Sequence, residues 1–107
     1  MGANKDMDTI QVVESESHNR TVLVLPAAFT FRLYNEFRGC YESLDQHVEV
    51  EIDLSKVTHL DSSALGMLVA VWEHMGRSSE KVVLTNMSEP VRKILENSNF
   101  HQLFTMT

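Results

Sequence analysis

Residues 48–54, VEVEIDL, set Val48, Val50, Ile52 and Leu54 against acids in strict alternation. Side chains with a period of two mark a strand with one face turned to a core. A short segment, SKVTHLD, then leads into a long apolar stretch from about Ser63 to Met75, and KVVLTN supplies a further strand. A strand, a helix and a second strand in that order require a crossover, so the neighbouring strands run parallel.

The rest of the chain fits around this unit. Ile10–Val13 and Val22–Leu25 read as two short strands across the polar run ESESHNR and can pair as a hairpin. Pro26 ends the second strand, since it cannot donate to a ladder. Thr30 can N-cap a helix through about Ser43, in which Leu33, Phe37, Tyr41 and Leu44 share one face. Gly39 weakens that helix by about 1 kcal/mol relative to Ala. Ser88 offers another N-cap, with Pro90 in the first turn and Val91, Ile94 and Leu95 on one face. FHQLFTM can add a last short strand. The pattern predicts one α/β domain over residues 1–107, with a mixed sheet of four to five strands flanked by three to four helices. Residues 1–8 are expected to be a flexible N-terminus. At 107 residues, a single core needs neither metal nor disulfide staples.

Charge and composition exclude several classes. Net charge is −6 and the nine Lys and Arg residues are scattered, which argues against direct nucleic-acid binding. No apolar run approaches the ~20 residues that span a bilayer, and the N-terminus lacks the charged and apolar regions of a signal peptide. A cytoplasmic protein is expected, in which Asn19-Arg20-Thr21 and Asn86-Met87-Ser88 are chance glycosylation matches. Cys40, the single cysteine, permits no internal disulfide and reads as a small buried hydrophobe on a helix rather than a reactive thiol. His18, His47, His59, His74 and His101 have no metal-ligand spacing, so neither a metal nor a cofactor is expected.

His59-Leu60-Asp61-Ser62-Ser63-Ala64-Leu65-Gly66 stands where a strand gives way to the long helix. Three residue types of a hydrolytic triad lie within four positions, but alternate strand residues leave opposite faces, and no nucleophile elbow or phosphate loop is present. No catalytic site is expected. The first N–H groups of a helix lack intrahelical partners, and Asp61, Ser62 and Ser63 can each accept from them. One cap suffices, which leaves a second serine over. The helix that follows carries no charge before Glu73. Leu65, Val69 and Trp72 occupy one side, Ala64, Met67, Val71 and Met75 another, with Leu68 between. Either the domain covers both sides, or part is an exposed apolar surface for a partner.

The stretch VEVEIDLSKVTHLDSSALGMLVAVWEHM resembles the STAS domains of bacterial anti-sigma factor antagonists. In these, a strand and short loop lead to Asp-Ser-Ser-(Gly/Ala)-Leu-Gly at a helix start. KVVLTNMSEPVRKILENSNFHQLF is similar too, down to its Ser-x-Pro-Val helix opening, so residues 48 to 104 carry the resemblance. It implies a single domain that binds an anti-sigma factor when unphosphorylated and thereby releases a sigma factor. The anti-sigma factor is often a serine kinase of the histidine-kinase-like ATPase type, and a PP2C-type phosphatase reverses the modification. By position, Ser62 is the phosphoacceptor, Asp61 its acidic neighbour and Ser63 the capping hydroxyl. The expected partner surface comprises Asp61, Ser63, Ala64, Leu65, Met67, Leu68 and Val71, with Phe29 and Thr30 from the first loop. That loop departs from the family's Gly-x-(Leu/Phe)-Asp: it reads LPAAFTF, with Thr30 near the expected Asp. Alternatives are a STAS subunit of another assembly (a stressosome-like scaffold or a transporter accessory protein) and a small nucleotide-binding enzyme.

Overall fold

The alternation in VEVEIDL is realised in a strand that lies at the centre of a five-stranded sheet. A computed structural model describes residues 9–15, 19–45 and 47–107. The expected flexible segment 1–8 lies outside the described residues, as do His18 and part of the ESESHNR run. The strands are β1 (Gln11–Ser15), β2 (Arg20–Val24), β3 (Ala28–Phe29), β4 (Glu49–Asp53), β5 (His59–Leu60), β6 (Val82–Thr85) and β7 (Thr105–Met106). The helices are α1 (Tyr34–Tyr41), α2 (Ser62–His74) and α3 (Glu89–Asn97), with 3-10 turns at Phe31–Leu33 and Phe100–Gln102.

The main sheet has the order β1-β2-β4-β6-β7. β1 and β2 form the expected antiparallel hairpin, with Val13 opposite Val22. β2, β4, β6 and β7 are parallel neighbours, so the sheet is mixed. The period-two pattern decides which face is covered. Leu23, Val50, Ile52, Val82 and Leu84 are buried together with Phe37 of α1, Ala64, Leu68 and Val71 of α2, and Val91 and Leu95 of α3. The three helices therefore lie over one face.

The other face keeps the acids. The Arg20 guanidinium donates to Glu49 at 2.9 Å and to Glu51 at 3.1 Å, and Glu51 also accepts from the Thr85 hydroxyl at 2.9 Å. Arg20 lies directly opposite Glu49 in the β2–β4 register, where a cross-strand pair of opposite charge is favourable.

β3 and β5 form a separate two-residue parallel ladder, which pairs Phe29 with Leu60. This small ladder matters for the site. It ties the start of the α1 region to the segment just before α2, so two helix entrances lie side by side. α3 starts as its sequence predicts: the Ser88 hydroxyl accepts from Val91 N–H, with Pro90 in the first turn.

Candidate functional site

Asp61 sits at the junction of the two helix entrances. Its backbone is extended, with φ −103° and ψ 177°, and α2 begins at the next residue. One carboxylate oxygen, Oδ1, accepts from the Ala64 N–H at 2.8 Å. The other, Oδ2, accepts from the Phe31 N–H at 3.1 Å, thirty residues away in sequence. A single side chain thus caps α2 and the 3-10 turn that leads into α1. The Phe31 amide, followed by the Ala64 amide, holds the Asp61 carboxyl below the usual carboxylate range. Hydrogen bonds to the charged form have this effect.

Two capping expectations are corrected by this geometry. Ser63 is not the cap of α2. It occupies the second helical position and is half-buried, because the Asp61 carboxylate already reaches the third helical N–H. Thr30 makes no side-chain cap, since its extended backbone leads into a 3-10 turn whose first N–H is bonded by Asp61 instead. The charge missing from the LPAAFTF loop is supplied across space by Asp61.

Ser62 is the first residue of α2 and is exposed. From there the exposed line of the helix runs through Gly66 to Glu73, with Val69 half-buried beside it. Spacings of four and seven place these residues above one another on one side. Leu65, Ala70 and Trp72 flank the line and are half-buried.

The expected partner surface is therefore partly wrong. Ala64, Leu68 and Val71 are wholly buried and Met67 is 4% exposed. These four form the stripe laid against the sheet and cannot meet a partner in the folded domain. Phe29 is also wholly buried: its ring packs edge-on against Phe37 at 5.0 Å between centroids. Ser62 is exposed, and Asp61, Ser63, Leu65 and Thr30 are partly exposed.

Two aromatic residues absent from that expectation stand at the same place. Phe31 is 62% exposed and Tyr34 is 39% exposed, and their rings stack at 5.6 Å. Phe31 falls outside the Leu33, Phe37, Tyr41 and Leu44 spacing, a signal of an aromatic side chain pointing away from the core. Its backbone N–H is the group held by Asp61.

Among the described residues, no group of three or more His, Cys, Asp or Glu side chains could hold a metal ion. Cys40 is half-buried on α1, and burial pushes its thiol up, away from the reactive thiolate. His59 is exposed on β5, and the His74 ring lies 3.2 Å from the Leu44 carbonyl. No helix among the described residues is long and apolar enough to cross a membrane.

A mixed five-stranded sheet with helices over one face, and an aspartate-capped helix opening on two serines, define a STAS-type domain. The STAS domain model matches residues 9–107, and the chain belongs to that family. A STAS-domain containing protein of Pseudomonas aeruginosa is 36% identical over 99 residues, covering 92% of this chain and 98% of that protein. Among solved structures, an anti-sigma-factor antagonist (STAS) domain protein from Planctomyces limnophilus shares 20% identity with a TM-score of 0.75, over 92% of this chain and 88% of that one. The anti-sigma factor antagonist SpoIIAA in its unphosphorylated form shares 16% identity with a TM-score of 0.71, over 92% and 87%. SpoIIAA of Bacillus is also solved in the phosphorylated form. The fold recurs in a sulfate transporter family protein from Wolinella succinogenes, with 13% identity and a TM-score of 0.69, over 84% and 73%.

Proposed function

We propose that this protein is a cytoplasmic anti-sigma factor antagonist whose Ser62 is the phosphorylation switch. Unmodified, it binds an anti-sigma factor, a serine kinase of the histidine-kinase-like ATPase type, and so frees the sigma factor. Phosphate on Ser62 ends that contact, and a PP2C-type phosphatase restores it. The protein acts by binding and is not an enzyme.

The observation that carries this reading is the placement of Ser62. It is exposed at the first position of α2, directly beside the Asp61 cap and at one end of an uncharged ridge. A phosphate there meets the helix N–H groups and the positive end of the dipole, so the fold tolerates it. A bound partner does not, because about −2 charge and three oxygens enter the contact beside the Asp61 carboxylate.

Labelled ATP separates this from an enzymatic role. The purified protein alone should turn over none, while addition of the cognate ATPase-type anti-sigma factor should label Ser62. Turnover by the protein alone would contradict the proposal. A second reading, a STAS subunit of another assembly, draws support from the sulfate transporter family neighbour. Co-purification of the native protein with a membrane transporter, and with no ATPase-type partner, would favour it.

Gly66 gives a further check. It is exposed within α2, and a Cβ placed there meets no heavy atom within 4 Å; the same holds for Gly39 of α1. Neither glycine is needed for packing within the domain. Gly66→Ala and Gly39→Ala should each raise stability, by about 0.5–1 kcal/mol, on denaturant unfolding. Only Gly66→Ala should weaken partner binding, as it thickens the ridge next to Ser62. Equal binding by the two variants would remove the ridge from the interface.

A further inference from the structure

We propose that Asp61 couples Ser62 to an aromatic recognition platform, Phe31 with Tyr34, so that phosphorylation dismantles the platform as well as adding charge. This inference rests on the partner-switch reading of Ser62, and its occupant is the same anti-sigma partner. Phe31 is the most exposed large hydrophobic side chain among the described residues, and it stacks on Tyr34 at 5.6 Å. Exposed stacked aromatics offer a large apolar area at low cost in side-chain entropy, which is the character of an interface anchor.

Among the described residues, the polar tether from the platform to the phosphoacceptor segment is the bond from Phe31 N–H to Asp61 Oδ2 at 3.1 Å. Thr30, the adjacent residue that could have capped this turn, makes no side-chain bond to it. The tether shares its carboxylate with the α2 cap, where Asp61 Oδ1 accepts from Ala64 N–H at 2.8 Å. Ser62 follows Asp61 directly, at the first position of α2. A phosphate on its hydroxyl competes for the same N–H groups at the helix start and sets a dianion beside the Asp61 carboxylate. Both effects drive the carboxylate outward. The Phe31 N–H then loses its acceptor, and the start of the 3-10 turn that holds the Phe31 ring against Tyr34 is freed.

Asp61 is a positioning residue in this account, and Asp61→Asn isolates its role. The asparagine oxygen can still cap Ala64, since Asn is as good an N-cap as Asp. Its NH2 group then faces the Phe31 N–H, and two donors do not bond. Proton NMR of the full-length protein, unmodified and with phosphoserine installed at position 62, reads the tether directly. In the unmodified protein the Phe31 and Ala64 amide shifts should titrate together with the Asp61 carboxyl, at a midpoint below the ordinary aspartate value of about 3.9. In the phosphoserine protein the Phe31 amide should move and stop following Asp61, while the amides of β4 stay unchanged. Asp61→Asn should move the Phe31 amide likewise, and weaken partner binding at least tenfold with Ser62 unmodified. Phe31→Ala should weaken binding to a similar degree without lowering the thermal midpoint.

A Phe31 amide that stays bonded to Asp61 in the phosphoserine protein overturns the coupling. If phosphate still abolishes binding in that case, the switch at Ser62 survives and only the platform is lost. If the Phe31 amide does move but the phosphoserine protein binds its partner unchanged, the coupling stands and the switch reading fails.

Discussion

Phosphoserine at position 62 should lower affinity for the anti-sigma partner by a factor of about 10³, while Ser62→Ala should bind like the unmodified protein. A loss of that size corresponds to ~4 kcal/mol. Bringing a dianion against an apolar contact without a cationic partner is costly enough to supply it. Nothing in the fold opposes the modification, because Ser62 is exposed and stands at the positive end of α2. Ser62→Asp adds one charge and a smaller, planar head, so it should fall between the two. Ser62→Ala should melt like the unmodified protein, because the capping group is Asp61 and not a serine. Titration calorimetry with the purified partner, alongside thermal melts, measures both halves. Equal affinities for the alanine and phosphoserine forms would leave Ser62 as an ordinary surface residue.

Met67→Glu should destabilise the domain by roughly 3 kcal/mol or more, before any partner is added. Met67 is 4% exposed on the stripe of α2 that faces the sheet, next to the wholly buried Leu68 and Val71. Truncating a buried residue of this size to alanine already costs about 2–5 kcal/mol. A carboxylate in its place adds the penalty of a buried charge without a partner. In a domain with only ~5–15 kcal/mol in total, much of the folded population is at risk. Leu68→Ala should lose about 2–5 kcal/mol for the cavity alone. Urea unfolding distinguishes this from an interface effect: near-wild-type midpoints for both variants would return this stripe to the surface.

The strand alternation, the crossovers and the Asp-Ser-Ser helix start were legible because each is written in adjacent residues. The rotation of α2 was not. Nine consecutive uncharged residues, Ala64 to Trp72, give no broad polar face to orient the helix. Its exposed side is marked only by Ser62, Gly66 and Glu73, at spacings of four and seven. Those spacings are the signal that would have phased it. The cap of the first 3-10 turn was hidden for another reason. Thr30 has the right chemistry in the right place, yet the acceptor comes from Asp61, thirty residues on, through the contact that β3 and β5 create. Phe29 was likewise read as surface because a two-residue ladder leaves no alternation to detect. Phe31 and Tyr34 became visible only with the fold, when the core had been filled without Phe31.

The acid side follows from the same cap. The Phe31 amide first, and the Ala64 amide after it, lower the Asp61 carboxyl below its unfolded value. Its contribution to stability is thus fully present above the ordinary aspartate range and is lost as pH falls through the lowered folded value. Asp61→Asn should flatten that part of the stability profile on the acid side of the ordinary aspartate value in acid melts. An unchanged profile would show that the carboxylate is not bonded as described.

Phosphopeptide mapping after incubation with the cognate kinase and ATP tests the central claim most directly. The account predicts phosphate on Ser62 alone, absent from the Ser62→Ala protein and removed by a PP2C-type phosphatase. Phosphate on Ser63 with Ser62 untouched, or none on either serine, would contradict it.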